Sequence, residues 1–147
     1  DDIRTILDRG ESAALILLDL SVAYDTVSHH ILINRLHHNA LKLIAAFLTG
    51  RKQRIRLSPY SSEPKIIICS VPQGSSLSPT LFNVYMTPLA HIVRSHGLNI
   101  ISYADDTQLI LSLTEDTATT RANFGNAITN VADWMRTNCL KLNTDKM

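Results

Sequence analysis

Three aspartates are the side chains whose type and placement could do chemistry. Asp19 closes the apolar run Ala13-Ala14-Leu15-Ile16-Leu17-Leu18. Asp105 and Asp106 stand side by side between two more apolar stretches, Leu98 to Ala104 and Thr107 to Leu113. A carboxylate ending so apolar a run has no packing reason to be there. If these stretches are neighbouring strands, three carboxylates meet at one end of a sheet. Two like charges about 4 Å apart repel by roughly 1 kcal/mol in water and about 4 kcal/mol at an effective dielectric near 20. Such a cluster must be solvated, protonated or filled by a cation. Hard carboxylate oxygens suit Mg²⁺, which also keeps waters and takes phosphate oxygens. Two such ions, about 3.5–4 Å apart, can hold both the attacking and the leaving oxygen of an in-line phosphoryl transfer. The Asp105-Asp106 pair on its own is equally ordinary turn chemistry, because Asp tolerates turn geometry and prefers water. The residues alone leave both readings open.

The elements that must position these groups can be read from periodicity. Ile3, Ile6 and Leu7 share one face of a short helix over residues 1–9, stopped by Gly10. The run that begins at Ala13 reads as a strand buried on both faces. Asp25 or Ser28 is placed to cap a helix from about His29 to His38, followed by a second from about Ala40 to Thr49 that Gly50 ends. Arg51 to Leu57 and Lys65 to Val71 are strand-like and joined by the turn cluster Ser58-Pro59-Tyr60-Ser61-Ser62. After the loop Pro72-Gln73-Gly74-Ser75-Ser76, Ser78 as N-cap and Pro79 at the first helical position start a helix to about Ser95, with Pro88 expected to kink it or mark a break. Asp105-Asp106 has the spacing of a two-residue hairpin turn. A long helix from Thr114 to Asn138 carries Ala118, Ala122, Ile128, Val131 and Met135 near helical spacing, and Leu140 to Asn143 reads as a last short strand. The order predicts an α+β fold with a mostly antiparallel sheet.

Composition narrows the classes. The chain of 147 residues is long enough for one domain with a core, and 45% hydrophobic content places it among folded chains. A formal net charge of +1 argues for no partner by itself. The charge is uneven, however: Lys42, Arg51, Lys52, Arg54, Arg56 and Lys65 face only Glu63 in that stretch. Such a segment suits phosphates, or a solvated edge hairpin. Cys69 and Cys139 make no disulfide framework and point to a reducing compartment. No apolar run is long enough to span a bilayer, so no membrane partner is expected. His29, His30, His37 and His38 have no partners at zinc-site spacing and read as helix-surface histidines. Ser75-Ser76 lacks the flanking glycine of a nucleophile elbow. Both ends read as cut, so the chain is expected to be a fragment.

The motifs themselves carry a resemblance. Leu18-Asp19-Leu20-Ser21-Val22-Ala23-Tyr24-Asp25-Thr26-Val27-Ser28-His29 resembles the first catalytic motif of LINE-like (non-LTR) reverse transcriptases. Val71-Pro72-Gln73-Gly74-Ser75-Ser76-Leu77-Ser78-Pro79, followed by Leu81-Phe82-Asn83, is similar to their second palm motif. Ile100-Ile101-Ser102-Tyr103-Ala104-Asp105-Asp106 looks like the third. Trp134-Met135 and Leu140-Lys141-Leu142-Asn143-Thr144-Asp145-Lys146 resemble the next. Four motifs in family order cover nearly the whole chain.

The resemblance implies a polymerase palm over residues 1–147, an antiparallel sheet backed by helices, with partial fingers and no thumb. It implies an RNA-directed DNA polymerase that adds deoxynucleoside triphosphates to a DNA primer 3′-OH on an RNA or DNA template. Two Mg²⁺ ions are implied, with Mn²⁺ able to replace them. By position, Asp19 and Asp105 are the principal ligands, Asp106 is auxiliary, and the Leu20 carbonyl completes one metal site. Tyr24 falls at the family's ribose gate, where most relatives carry Phe. Ala23, Gln73 and Gly74 match residues lining the incoming nucleotide, and Lys146 matches a lysine near the triphosphate. Nucleus or cytoplasm is the expected location. The fragment alone is expected to polymerise poorly. The alternatives are an inactive remnant that folds or binds nucleic acid, and an interaction domain whose Asp pair is only a turn. Besides Tyr24, the chain departs from the family pattern in that Leu36 to Phe47 is shortened, Asn39-Ala40 must supply the turn there, and Ser28 replaces a common Asp.

Overall fold

The computed structural model describes residues 2–36, 38–113 and 118–143. Helix α1 (Asp2–Asp8) ends before Gly10, whose φ of 74° is the left-handed conformation that glycine adopts without strain. Strand β1 (Ser12–Leu18) follows, then β2 (Leu20–Ser21), with Asp19 as the single residue between them. Three helices come next: α2 (Ala23–Thr26), α3 (His29–Asn34) and α4 (His38–Leu48). Four two-residue strands, β3 (Lys52–Gln53), β4 (Arg56–Leu57), β5 (Tyr60–Ser61) and β6 (Lys65–Ile66), precede the long helix α5 (Ser78–Ser95). The chain closes with β7 (Asn99–Tyr103), β8 (Asp106–Leu113), α6 (Ala118–Thr137) and β9 (Lys141–Leu142).

The central sheet has the order β1-β8-β7, and β2 pairs separately with β9. Every pairing among the described residues is antiparallel. The α+β class read from the sequence therefore holds. The core lies between this sheet and the helices. Phe82, Leu89 and Val93 of α5, Val131 and Met135 of α6, and Leu18 and Leu109 of the sheet are buried in one cluster. Burying a side chain of this size contributes about 1.5–3 kcal/mol.

Several local expectations change. β1 is not buried on both faces: Ile16 and Leu18 join the core, while Leu15 and Leu17 are 46% and 60% exposed. The strand thus alternates, because α5 and α6 cover only one face of the sheet. The helix from His29 stops at Asn34, and α4 already begins at His38, so Asn39 and Ala40 lie inside a helix and not in a turn. Arg35 is the residue at the C-terminal cap of α3. Its guanidinium donates to the Tyr85 carbonyl and to Asn138 Oδ1, and it lies 4.6 Å from the Tyr85 ring centroid. Of the two cap candidates, Ser28 is the one used, accepting from the Ile31 N–H at 3.5 Å.

Ser78 is the first residue of α5 and does not cap it; its hydroxyl donates to the Pro72 carbonyl, pinning the preceding loop to the helix. The helix runs unbroken through Pro88. The basic segment forms two short ladders, β3–β6 and β4–β5, with exposed side chains, in place of two long strands. No helix among the described residues is long and apolar enough to cross a membrane.

Candidate active site

Asp19 is positioned by three pieces of backbone. β1 delivers it, and one step beyond the last β1–β8 pair, Leu18 with Thr107, brings it level with Asp106. On its other side the β2–β9 ladder brings in Asn143. The Asn143 main-chain N–H donates to the Asp19 carbonyl at 2.9 Å, and its side-chain Nδ2 donates to Asp19 Oδ2 at 2.7 Å. Asp19 and Asp106 line a shallow depression of about 360 Å³ together with Leu17 and Gln108.

Asp105 sits differently. The hairpin turn is Ala104-Asp105, one residue earlier than the sequence suggested, because Tyr103 pairs with Asp106 and Ala104 takes a φ of 54°. Asp106 is therefore the first residue of β8, while Asp105 is at the tip. Asp105 opens onto a larger cavity of about 650 Å³ lined by Leu20, Ala23, Tyr24, Gln73 and Gly74. Among the described residues, no three His, Cys, Asp or Glu side chains stand close enough together to hold a metal ion. The three carboxylates thus reach the same end of the sheet but divide between two openings. In kind the donors fit a hard divalent cation, since they are carboxylate oxygens open to solvent. Neither the Asp105 nor the Asp106 carboxylate makes a hydrogen bond or ion pair among the described residues.

The larger cavity is built from two segments distant in sequence. Val22 turns the chain from β2 into α2 with φ 47° and ψ 43°, a left-handed conformation that costs a non-glycine residue about 1–2 kcal/mol. That turn sets Ala23 and Tyr24 on the cavity wall. The Tyr24 ring packs on Phe82 with centroids 5.2 Å apart. Burial, then the nearby Asp105 and Tyr103, hold its hydroxyl above the ordinary tyrosine pKa of 10.0.

The second segment is tied to the first by main-chain bonds, Ser70 N–H to the Val27 carbonyl at 2.8 Å and Val71 N–H to the Tyr24 carbonyl at 2.9 Å. His29 strengthens the tie: its Nε2 donates to the Ser70 carbonyl at 2.7 Å, and it is only 6% exposed. It is a buried structural histidine, not the helix-surface residue expected, while His30 is exposed as expected. Gly74 has a φ of 82°, and a Cβ there would meet nothing within 4 Å. The glycine is required by its backbone angle and leaves the wall open.

Every nucleotide-lining residue expected from the sequence, except one, is therefore on this cavity. The exception, Lys146, lies outside the described residues. Sequence reasoning did not place Val22, Ser75, Ser76, Ser78 and Pro79 at the site, yet they share the wall. It also gave none to Asn143, whose partner is 124 positions away and leaves no local signal.

Residues 2–147 match the family described as reverse transcriptase (RNA-dependent DNA polymerase). The chain is 33% identical over 117 residues to the RNA-directed DNA polymerase from mobile element jockey of Drosophila funebris, covering 74% of this chain and 13% of that protein. The Drosophila melanogaster protein of the same description is 34% identical over 114 residues, with 71% and 12% covered. The probable RNA-directed DNA polymerase from transposon BS of Drosophila melanogaster is 27% identical over 151 residues, with 95% and 16% covered. The chain thus spans only a small part of the length of these relatives. With four motifs in family order and a match across nearly its whole length, the chain belongs to the reverse transcriptase (RNA-dependent DNA polymerase) family.

Proposed function

We propose that this chain is the catalytic palm, with part of the fingers, of an RNA-directed DNA polymerase from a non-LTR retrotransposon. Its substrates are an RNA or DNA template, a DNA primer and deoxynucleoside triphosphates. The observation that carries this reading is the cavity shared by Leu20, Ala23, Tyr24, Gln73, Gly74 and Asp105, with Asp19 and Asp106 beside it. Two remote stretches of chain meet there, and both were singled out by their motifs.

The roles proposed here are those of the matching motif positions. The Tyr24 ring, packed on Phe82, would stand at the sugar of an incoming nucleotide and exclude a 2′-hydroxyl. The loop at Gln73-Gly74 presents main chain and an amide to the base or sugar. The carboxylates of Asp19 and Asp105, with Asp106 as auxiliary and the Leu20 carbonyl, are the donors that would hold divalent ions. When bound, such ions neutralise the developing phosphate charge and orient the attacking and leaving oxygens. The protein's own part is to fix the donors on the rigid ends of β1 and β8.

The test is primer extension by the full-length protein that carries this chain, assayed with Mg²⁺ and with Mn²⁺. Asp105→Asn should reduce nucleotide addition by roughly 10²–10³-fold or more, the scale of losing one pre-organised electrostatic group. Retained addition would remove the assignment. A second reading, a remnant that folds without polymerising, is favoured by the division of the carboxylates between two openings. Metal affinity without any nucleotide addition would select it.

A further inference from the structure

We propose that His29 is a positioning residue for the Gln73-Gly74 wall of the larger cavity, an inference that rests on the polymerase reading above. Two stretches of chain must keep a fixed separation there, the one that carries Tyr24 and the one that carries Gln73 and Gly74. Main-chain pairing joins them as far as Ser70. The His29 N–H donates to the Ile68 carbonyl at 3.2 Å, Ser28 bridges Cys69, and the Ser70 N–H returns to the Val27 carbonyl at 2.8 Å. At Ser70 the chain then turns, with a φ of 86°. The carbonyl of that same residue takes the His29 ring, whose Nε2 donates to it at 2.7 Å. Beyond the turn, the Val71 N–H donates to the Tyr24 carbonyl at 2.9 Å and the Ser78 hydroxyl to the Pro72 carbonyl. Gln73 and Gly74 follow directly.

The ring donor has a physical consequence. A carbonyl only accepts, so the imidazole carries a proton on Nε2. The ring is buried, which holds that donor in one place. A positive φ on a serine persists only where its surroundings over-determine it. The His29 bond is the side-chain clamp on that residue. Without it, Ser70 can relax toward negative φ, and the change of direction is carried into Gln73 and Gly74. The Tyr24 ring keeps its own support, because it packs on Phe82 with centroids 5.2 Å apart. The separation between the two walls then changes, and with it the fit of a nucleotide. His29 lies behind the wall and does not line the cavity, so it acts through Ser70 and touches no substrate. A misplacement of about 1 Å caused by a remote change can cost on the order of 10²-fold.

The experiment uses the full-length protein that carries this chain, with His29→Gln and His29→Met. The two replacements have the same length. The glutamine amide can supply an N–H where the ring Nε2 stands, and methionine supplies none. Primer extension is followed against deoxynucleotide concentration, primer–template affinity is measured separately, and the melting transition is recorded for each variant. In His29→Met, kcat/KM for the deoxynucleotide should fall by on the order of 10²-fold. The loss should lie mainly in KM, with primer–template affinity and a cooperative melting transition retained. His29→Gln should recover most of that loss. A wild-type KM in folded His29→Met overturns the inference, and so does an equal rise in both variants. Loss of the fold in either variant, or an equal loss of primer–template affinity, assigns His29 a purely structural role and overturns it as well. The failure of the polymerase reading looks different. If Asp105→Asn still extends primers, that reading fails and the inference with it. If Asp105→Asn is dead but His29→Met is indifferent, only the positioning role fails.

Discussion

Tyr85→Phe should destabilise the chain by about 2 kcal/mol, through one hydroxyl group. Tyr85 is fully buried on α5. Its hydroxyl donates to the Asn138 carbonyl at 2.6 Å and accepts the Ser28 N–H at 3.4 Å. These two bonds join α5 to the start of α3 and to the end of α6. Phenylalanine keeps the ring, its core contacts and its place under the Arg35 guanidinium, so no large cavity opens. What is lost is one short bond and one long one, and a buried carbonyl is left without that donor. Stranding a buried polar group costs about 1–3 kcal/mol, with the long bond adding little. For a chain of this length about 2 kcal/mol lowers the melting temperature by roughly 6–8 °C. Urea unfolding followed by fluorescence measures it well, because Trp134 is the single tryptophan and lies 5.5 Å from the Arg35 guanidinium in the same network. The midpoint should fall with an unchanged slope. A loss below about 0.5 kcal/mol, the lower bound for a single net hydrogen bond, would refute the reasoning.

Other outcomes follow from the same contacts. In an active full-length protein, Tyr24→Ala should let ribonucleotides compete with deoxynucleotides in primer extension; unchanged discrimination removes Tyr24 from the gate. Tyr24 and Tyr85 should both ionise above pH 10.0, each held neutral chiefly by burial, and Tyr24 further by Asp105. A raised folded-state pKa means that the neutral form is favoured by folding. Their contribution to stability is therefore full below pH 10 and is lost as pH rises through the folded values. Absorbance titration at alkaline pH, with Tyr24→Phe and Tyr85→Phe as difference partners, reads this; two ionisations at or below pH 10 would contradict it. Gly97→Ala, at a φ of 74° with open space around the new Cβ, should cost about 1–2 kcal/mol from backbone conformation alone. A neutral result in urea unfolding would show that the turn relaxes.

The reach of the sequence is clearest at the cavity. Tyr24, Gln73 and Gly74 were legible because they belong to motifs whose order is itself informative. The long helix α5 was legible because Ser78 and Pro79 start it and Gly97 follows it. The short ladders in the basic segment were not legible, because a strand-like run carries no record of which residues pair. Nor was the state of His29: its burial depends on Ser70, which the chain returns to it only after two helices and a hairpin.

By itself the sequence determined the element types, the order of the motifs and the identity of three carboxylates at strand ends. Local periodicity, turn residues and motif spacing are properties of adjacent residues, and they survive without a fold. The tertiary structure alone decided which carboxylates share an opening. A shift of one residue in the hairpin turn, to Ala104-Asp105, puts Asp106 into β8 beside Asp19 and leaves Asp105 on the larger cavity. Side chains alternate along a strand, so register by register a single step changes the face a group meets. Pairing across 124 positions, from Asn143 to Asp19, is likewise fixed only when two strands close their ladder.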